Sequence, residues 1–438
     1  MNTIIAALAT PPGIGGISVI RISGANSLEI VLPFLRFKRN KVKVKPGRIY
    51  YCDFFVDVEL VDEIMIAYFE EYRSYTGEET LEISCHGSPV IVSKILEALY
   101  NTNKIHRAGP GEFTERRFMN GKIDLVQAEA VINLINSESD LSSKTSLNQL
   151  KGVLSDELGS IKKQITGLLS TLELELDFSE EDIEFTPKSE IESHFDALLS
   201  VLYKFLNSYK TGKIYRDGIK IVLTGKVNAG KSSLMNRLLK ENRAIVTSIE
   251  GTTRDVIEER LNVKGYLLRI FDTAGLRETE DIIELEGIKR SKELIDDSDL
   301  ILNLIDSTNF DNNLILDNPK AINVLNKCDM ANVNLSYLKI SCKTGDGVEE
   351  LKDEIIRKIE KDYIQSGSAF LTSKRHEEIV IRAISSVKRA KDTLYQGYSN
   401  EVIIPELRDA LDILGELTGE TTSLDIINNI FANFCIGK

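Results

Sequence analysis

The sequence is poor in the features from which metal sites, disulfide frameworks and membrane anchors are built. It has five cysteines among 438 residues, and no two of them stand at the CxxC spacing of a metal site. No apolar run approaches the roughly 20 residues that a membrane-spanning helix needs. The first residues lack the basic region of a signal peptide. We therefore expect a cytoplasmic chain with reduced thiols and no membrane partner.

Positive charge is also scarce, since 54 lysines and arginines stand against 67 aspartates and glutamates, for a formal net charge of −13. An acidic chain binds nucleic acid poorly without a local basic surface, because phosphate attraction needs lysine and arginine. One stretch, 36–48, is basic and contains no acidic residue, and lysine alternates with valine over 41–45. This alternation favours a solvated strand, and a patch for RNA is the alternative.

The chain contains three successive patterns of hydrophobicity, and its length indicates two or three domains. Residues 1–118 mix short β-like runs with turns and predict an α/β region. Residues 122–210 and 373–435 have the apolar period of helices. The segment between the two helical stretches alternates strand-like runs with amphipathic helices, which is typical of a mainly parallel, doubly wound sheet.

This alternation predicts buried strands at 219–224, 267–271, 300–305, 321–325 and 337–340. Lys264-Gly265 lies between two strand-like runs and predicts a hairpin at the edge of the sheet. Apolar residues at helical spacing form stripes that need a partner. One stripe is Leu125, Ala128, Ile132 and Ile135, and another is Ile161, Ile165, Leu168 and Leu172. We expect the sheet domain to be inserted into a helical domain whose two halves pack together.

Residues 225–232 read Gly-Lys-Val-Asn-Ala-Gly-Lys-Ser, the pattern of a phosphate-binding loop between a strand and a helix. The glycines let backbone N–H groups surround the phosphates, and the helix N-terminus favours negative charge. Lys231 is expected to reach the β and γ phosphates. Ser232 is expected to offer its hydroxyl to Mg²⁺.

Three further motifs follow predicted strands. Asp272-Thr-Ala-Gly275 can hold a water on Mg²⁺ and contact the γ phosphate. Residues 326–329 read Asn-Lys-Cys-Asp, and the Asp329 carboxylate can accept hydrogen bonds from guanine N1–H and the 2-amino group, a donor pair that adenine lacks. Ser341-Cys-Lys343 resembles the loop that contacts guanine O6. Because all four motifs lie at the carboxyl ends of strands, the sequence predicts GTP binding and hydrolysis.

The group that orients the attacking water is left open by the sequence. Leu276 occupies the position where Ras has a glutamine, and several acidic residues follow it: Glu278, Glu280, Asp281, Glu284 and Glu286. No arginine finger can be assigned, although Arg254 and Arg277 are candidates. Asn228 offers a neutral oxygen near the phosphates, which favours a monovalent cation such as K⁺ in place of an arginine.

Several segments together resemble one family. Residues 251–255, Gly-Thr-Thr-Arg-Asp, resemble switch I of the Era/MnmE/Obg-type GTPases. The segments outside this region are 9–13 with 21–24, 109–114 leading into 120–124, 177–182, and the C-terminal Cys435-Ile-Gly-Lys438. With them the chain resembles the MnmE (TrmE) family of tRNA uridine-modification GTPases from its first residue to its last.

The resemblance implies an α/β plus α fold. It has an N-terminal α/β folate-binding and dimerisation domain at 1–118, helical halves at 119–212 and 365–438, and a Ras-like G domain at 213–364. It implies a homodimer that forms a heterotetramer with an FAD-containing partner, GidA/MnmG, and acts on tRNA. The reaction would add an aminomethyl or carboxymethylaminomethyl group to carbon 5 of the wobble uridine. The carbon would come from 5-formyl- or 5,10-methylene-tetrahydrofolate.

The motifs and the resemblance also imply site residues. The candidate GTP contacts are Asn228, Ala229, Gly230, Lys231, Ser232, Ser233, Thr247, Thr253, Asp272, Gly275, Asn326, Lys327, Asp329, Ser341, Cys342 and Lys343. K⁺ would be held by Asn228, Thr247, Ile249 and Thr252, and Mg²⁺ by Ser232 and Thr253. Folate would contact Arg21, Glu82, Lys122 and Lys438. Glu284 would orient the water. Cys435 is a candidate catalytic thiolate, with a small buried hydrophobe as the equal alternative.

Two positions depart from the family pattern, because Val227 replaces a proline and Ser88 replaces the second glycine of Cys-His-Gly-Gly. The main alternative function is an Era-like switch in ribosome assembly or RNA binding, which usually carries a basic RNA-binding module. A membrane-remodelling GTPase would need an apolar or basic amphipathic paddle, and none is found in the sequence. Binding of 5-formyltetrahydrofolate distinguishes the first function from these alternatives.

Overall fold

The computed structural model describes residues 3–38, 42–177, 186–242, 258–272, 293–331, 335–365 and 367–438. The chain divides into two compact units. One comprises Met1–Ile132 with Gly415–Lys438, and the other comprises Asn133–Leu414. Within the described ranges, no helix combines the length and the apolar character that crossing a membrane requires.

Strands and helices are numbered in chain order over the described residues. The strands are β1 Ile4–Leu8, β2 Gly15–Ser23, β3 Leu35–Phe37, β4 Arg48–Val56, β5 Glu59–Phe69, β6 Thr80–Gly87, β7 Ile105–Arg107, β8 Ile219–Thr224, β9 Glu258–Val263, β10 Tyr266–Asp272, β11 Leu300–Asp306, β12 Ala321–Asn326 and β13 Leu338–Lys339. The helices are α1 Ser27–Val31, α2 Pro89–Tyr100, α3 Glu112–Met119, α4 Leu125–Ile135, α5 Asp140–Leu150, α6 Val153–Asp177, α7 Lys188–Asp217, α8 Lys231–Asn242, α9 Val348–Tyr363, α10 Lys374–Tyr395, α11 Asn400–Thr418 and α12 Leu424–Ala432.

A mostly antiparallel sheet forms the centre of the first unit. Its described strands follow the order β3-β4-β5-β6-β2-β1-β7, and only the β1–β7 pair is parallel. Successive side chains of a strand point to opposite faces, so Ile20 and Ile22 are buried against α2 while Arg21 lies on the other face. That other face exposes Ile17, and also Ile49, Tyr51 and Met65.

A mainly parallel sheet forms the centre of the inserted domain in the second unit. Among described strands its order is β13-β12-β11-β8-β10-β9, and only β9 runs antiparallel to its neighbour. Each predicted strand is present, and β8 has the predicted bounds. Lys264 and Gly265, with φ of 50° and 85°, form the predicted edge hairpin between β9 and β10. The doubly wound sheet that we predicted is confirmed.

The helices before and after the inserted domain pack together in the second unit, as predicted. α7 packs against α10, and the Ser208 Oγ accepts a hydrogen bond from the Leu371 N–H at 3.1 Å. In α5, the Gln149 side-chain amide donates to the Phe370 carbonyl oxygen at 2.9 Å. Each of these bonds joins residues more than 150 positions apart in the sequence. The inserted domain lies, in the sequence, between the two residues that each of these bonds joins.

Two local predictions need correction. No strand forms over the described residues 42–45. Pro46 follows them, and the Lys45 N–H donates to the Tyr50 hydroxyl at 2.8 Å instead of to a neighbouring strand. The lysines there are nevertheless exposed, as expected for a solvated segment. The stripe of α4 is buried at Leu125 and Ala128, but Ile135 is 45% exposed because the helix ends there.

Candidate functional site

The predicted phosphate loop lies between β8 and α8, at the carboxyl end of the central strand. Gly225 has φ of 140°, and a Cβ at this position would lie 2.2 Å from the carbonyl oxygen of Leu304 in β11. Only glycine therefore fits where the loop passes this strand. The following residues 226–228 are exposed, and Asn228 has the left-handed φ of 65°. The loop presents its outer edge to solvent, as a phosphate site requires.

Lys231, the first residue of α8, lies beneath this loop. Its side chain is buried, and its Nζ donates to the carbonyl oxygens of Gly225 at 2.9 Å and Lys226 at 3.1 Å. The ammonium group is thus held inside the ring of the loop, where a bound phosphate would meet it. Ser232 and Ser233 follow on the exposed side of the first helical turn.

Asn326, the last residue of β12, joins three of the predicted motifs. Its side-chain amide donates to the Ala229 carbonyl oxygen at 2.7 Å, and its Oδ1 accepts from the Cys342 N–H at 3.2 Å. It is 2% exposed. This one side chain therefore connects the phosphate loop with both loops predicted to bind guanine.

The Asp329 carboxylate is oriented by a neighbouring loop. Its Oδ1 accepts a hydrogen bond from the Ser341 hydroxyl at 2.7 Å, and the same Ser341 Oγ accepts from the Thr344 N–H at 3.2 Å. Burial raises the pKa of the nearby Cys342 thiol to about 11, so this thiol is not ionised at neutral pH. The loop therefore contributes backbone groups and the Ser341 hydroxyl to the site.

Sequence reasoning missed one acidic residue at this edge of the sheet. Asp306 ends β11, and its Oδ2 lies 2.6 Å from the Nζ of Lys327. Lys327 itself has a left-handed backbone with φ of 64°. The position of Asp306 at the end of a parallel strand was the available signal, because ligand sites of such sheets lie at that edge.

A separate cluster lies in the first unit, on the face of its sheet opposite α2. Arg21 of β2 and Glu82 of β6 are register partners, and Arg21 Nε donates to Glu82 Oε1 at 2.9 Å. The guanidinium lies 4.8 Å from the ring centroid of Tyr75 and 5.7 Å from that of Phe113. Its Nη1 is buried and has no hydrogen-bond partner among the described residues. Such an orphan donor needs an acceptor, and a ligand can supply one.

The structure brings together two of the four predicted folate residues. Lys122 instead donates to the Tyr72 carbonyl oxygen at 3.1 Å and lies over the Tyr72 ring. Among the described residues, no hydrogen bond or ion pair joins Lys122 or Lys438 to the Arg21–Glu82 pair. The aromatic partners Tyr75 and Phe113 were not predicted, since their contacts depend on how a loop and α3 pack near β2.

The C-terminal tail packs within this same unit. Ile436 forms an isolated β-bridge with Pro110, and the Gly111 N–H donates to the Cys435 carbonyl oxygen at 3.4 Å. Gly437 has φ of 96°, and a Cβ there would lie 2.1 Å from the Leu8 carbonyl oxygen at the end of β1. Ala7, the residue before Leu8, is the register partner of Arg21. The thiol-bearing Cys435 is exposed, so the alternative of a buried hydrophobe is wrong.

Two family models match this chain. The model of the MnmE helical domain matches residues 125–435, and the model of the GTP-binding protein TrmE N-terminus matches residues 4–122. The chain belongs to the MnmE family. It is 37% identical over 474 residues to the tRNA modification GTPase MnmE of Christiangramia forsetii, with 100% of each chain covered. It is 40% identical over 455 residues to the MnmE of Syntrophotalea carbinolica, with 99% of each covered.

The MnmE of Aquifex aeolicus is 39% identical over 453 residues, and 100% of each chain is covered. The identification as an MnmE family member from sequence motifs is therefore confirmed. The chain is a GTP hydrolase that takes part in tRNA modification. This conclusion favours the tRNA-modification function over the Era-like switch that we kept as the alternative.

Several predicted site residues of this MnmE family member lie outside the described residues. They are Thr247, Ile249, Thr252, Thr253, Gly275 and Glu284. Leu276, Arg254, Arg277 and the other candidate acids 278–286 lie outside them as well. Asp272 is described, and it ends β10 in register with Leu223 of the central strand. The Mg²⁺, K⁺ and water positions therefore stay predictions.

A polar cavity of about 280 Å³ in the second unit was not predicted from the sequence. Three arginines that line it have carboxylate partners: Arg216 pairs with Asp217, Arg260 with Glu138 and Glu258, and Arg269 with Glu258. Burial raises the pKa of Glu258, but the bonds from Arg269 and Arg260 outweigh it and lower this pKa. The Arg260–Glu138 pair connects β9 with the segment before α5.

Proposed function

We propose that this chain is a K⁺-dependent GTPase that works as a homodimer with the FAD-containing protein GidA/MnmG in a heterotetramer. Together they add an aminomethyl or carboxymethylaminomethyl group to carbon 5 of the tRNA wobble uridine. The carbon comes from 5-formyl- or 5,10-methylene-tetrahydrofolate. The observation that carries this proposal is the Arg21–Glu82 cluster beside the C-terminal tail, on a chain that also has the motifs for GTP.

The GTP part of the proposal uses the loops that Asn326 connects. Residues 228–233, which include Lys231, bind the phosphates. Asp329 accepts hydrogen bonds from guanine, and residues 341–343 contact the guanine O6. An aspartate oxygen held by the Ser341 hydroxyl supports this assignment, because the carboxylate is oriented before the base arrives. Mg²⁺ binds Ser232 and Thr253, near Asp272 and Gly275. Glu284 orients the attacking water.

The K⁺ part of the proposal rests on Asn228. Its exposed side chain on a left-handed residue offers an oxygen at the outer edge of the phosphate loop. Carbonyl and hydroxyl oxygens are the ligands that such a cation prefers. Thr247, Ile249 and Thr252 complete the set in our proposal. When bound, the cation supplies positive charge where Ras-type enzymes use an arginine.

The folate part rests on the chemistry of the first unit. A pterin edge presents an N–H and an amino group, which match the Glu82 carboxylate, whose side chain is 27% exposed. The buried orphan Nη1 of Arg21 needs an acceptor, and the rings of Tyr75 and Phe113 offer flat apolar surface. Lys122 and Lys438 contact the folate's negative groups, and the exposed Cys435 of the C-terminal tail is the candidate nucleophile.

The homodimer is supported by exposed apolar residues on the face of the first sheet opposite α2. Ile17, Ile49, Tyr51 and Met65 are 43–70% exposed on this face. Exposed apolar groups that share one sheet face are typical of a protein–protein contact. The four segments 1–118, 119–212, 213–364 and 365–438 are the domains of the proposed protein.

The test is reconstitution with unmodified tRNA, GTP, KCl, a GidA/MnmG protein, methylene-tetrahydrofolate, and ammonium or glycine. Nucleoside mass spectrometry should detect the modified wobble uridine only when folate and GTP are both present. A companion titration measures binding of 5-formyltetrahydrofolate to the chain alone. GTP hydrolysis with no folate binding and no modified uridine would contradict the proposal and favour a switch function.

A further inference from the structure

Asp306 lies where β11 reaches the nucleotide edge of the parallel sheet. It is the register partner of Asn326, whose side chain bonds to the phosphate loop at Ala229. Its carboxylate is 14% exposed and lies 2.6 Å from the ammonium group of Lys327. No motif of the sequence includes Asp306, and the function assigned above does not use it.

The carboxylate of Asp306 is fixed on both of its oxygens. Oδ2 accepts from Lys327, while Oδ1 accepts from the Thr308 N–H at 2.9 Å and from the Thr308 hydroxyl at 2.7 Å. Burial raises the pKa of Asp306, but the hydrogen bonds from Lys327 and Thr308 outweigh it and lower this pKa. The group is therefore an anion at neutral pH with little freedom to turn away from the lysine.

Lys327 has a long, flexible side chain that an ion pair can hold in place. Its backbone has a left-handed φ of 64°, which fixes where its Cβ points, while its four-carbon stem stays free to adopt many rotamers. Ordering a long side chain during binding opposes the affinity for the ligand. An ion pair that already holds the side chain in the free protein removes that cost.

We propose that Asp306 is a positioning residue for guanine nucleotide binding, which holds Lys327 extended across the base pocket before the nucleotide enters. The inference rests on the proposed assignment of Lys327 to the nucleotide site. Because the pair exists without ligand, its loss should act on nucleotide affinity and chiefly on the dissociation rate.

A second aspartate in the same loop provides a matched control. Asp306 caps the 3-10 helix Ser307–Asn309, and Asp311 caps the 3-10 helix Asn312–Leu314 by accepting from the Asn313 N–H at 3.0 Å. Among the described residues, Asp311 makes no ion pair with a lysine. Asparagine is as good a cap as aspartate, so Asp306→Asn and Asp311→Asn keep both turns and remove only the charges.

The experiment measures the affinity and dissociation rate of GDP carrying a fluorescent ribose label, with the full chain at neutral pH. Asp306→Asn should weaken GDP binding about tenfold through faster dissociation. Asp311→Asn should bind as the wild type does. Equal thermal unfolding midpoints in the two variants would exclude a merely structural effect, whereas equal GDP binding in the two variants would overturn the inference.

A double-mutant cycle with Lys327→Met separates this inference from the assignment on which it rests. If Asp306 acts through Lys327, adding Asp306→Asn to Lys327→Met should cause no further loss of GDP affinity. Independent, additive losses would overturn the positioning role. If Lys327→Met alone binds GDP normally, the assignment of Lys327 to the nucleotide site fails, and the inference fails with it. Weak binding by Lys327→Met with normal binding by Asp306→Asn overturns the inference alone.

Discussion

The side-chain amide of Asn326 donates to the carbonyl oxygen of Ala229 at a distance of 2.7 Å, which ties the base loop to the phosphate loop. The same side chain accepts from the Cys342 backbone. Because Asn326 is almost fully buried, each of these bonds is shielded from water and costly to lose. The two halves of the predicted nucleotide site are therefore held in one geometry by Asn326, which is itself one of the predicted GTP contacts.

Replacing Asn326 should separate these loops and weaken GTP binding. Asn326→Ala is expected to lower the free energy of unfolding by about 1–3 kcal/mol, since buried partners are left unsatisfied. Asn323→Ala is the matched control, because Asn323 lies on the same strand and accepts from Leu316 N–H at 2.9 Å and Asn303 Nδ2 at 2.8 Å. Calorimetry should find weaker GTP binding only in Asn326→Ala. Equal losses of affinity in both variants would indicate a general loss of stability.

The close passage of the phosphate loop over β11 makes Gly225 intolerant of a side chain. In Gly225→Ala the new Cβ would overlap the Leu304 carbonyl, 2.2 Å away, at φ of 140°. The strained backbone alone costs about 1–3 kcal/mol, and the overlap must also displace the loop. Gly397→Ala is the control, because Gly397 also has a positive φ of 79° and has no neighbour within 4 Å of its Cβ.

Thermal unfolding and GTP titration of the two glycine variants distinguish the effect of backbone strain from the effect of displacing the phosphate loop. Both variants should unfold at a lower temperature, but only Gly225→Ala should lose GTP binding. Normal GTP binding by Gly225→Ala would contradict the role given to this loop.

The parallel sheet could be predicted from the sequence for a definite physical reason. Its central strands are buried on both faces, so they appear as continuous apolar runs bounded by turns, and β8 at Ile219–Thr224 has the predicted bounds. The lysine–valine alternation at 41–45 misled us, because alternation indicates one wet face and not a partner strand. Val44 is half-buried against the core, although it does not belong to a strand.

The direct ion pairs between distant strands could not be predicted from local sequence patterns, although the family resemblance placed Arg21 and Glu82 at one ligand site. Arg21 and Glu82 are 61 positions apart, and they meet only because β2 and β6 pair in one particular register. Asp306 and Lys327 meet for the same reason, at neighbouring parallel strands that end together. The nucleotide motifs were different, since their local patterns carry the chemistry and the open sheet brings them to one edge.

The proposed folate site predicts that Glu82 is needed for ligand binding. Glu82→Ala should abolish or strongly reduce the binding of 5-formyltetrahydrofolate, because the donor pair of the pterin loses its anionic acceptor. It should also free the Arg21 guanidinium, which now bonds to that carboxylate at 2.9 Å. Glu63→Ala is the control, since Glu63 is an exposed glutamate of β5 in the same sheet. Equal binding by both variants, or none in the wild type, would rule out this site.

The water-orienting role predicts a kinetic signature for Glu284, which lies outside the described residues. Glu284→Ala should keep its affinity for GTP but hydrolyse it about a hundredfold or more slowly, as expected for an interaction made mainly in the transition state. Glu280→Ala serves as control. Single-turnover hydrolysis and nucleotide titration measure the two quantities. Retained hydrolysis would transfer the role to Glu278, Glu280, Asp281 or Glu286, or to a backbone group.

The proposed cation predicts that GTP hydrolysis needs K⁺ and rises when two G domains meet. Phosphoryl transfer builds negative charge between the β and γ phosphates, and Ras-type enzymes balance it with an arginine. No arginine can be assigned here, while Asn228 presents an oxygen at the exposed edge of the loop. In the proposal, Thr247–Thr252, which lie outside the described residues, help to close the oxygen cage, and a second G domain holds it closed.

The measurement is initial phosphate release in KCl and in NaCl at equal ionic strength, for the wild type and for Asn228→Ala. K⁺ is larger and less strongly hydrated than Na⁺, so a roomy cage of oxygens favours it. The wild type should hydrolyse GTP faster in KCl by about tenfold or more, because charge placed at the transition state acts strongly in a site that excludes water. Rubidium and ammonium should replace K⁺. Equal rates in both salts would end the cation hypothesis, whereas K⁺ stimulation that survives in Asn228→Ala would keep the cation and reject Asn228 as its ligand.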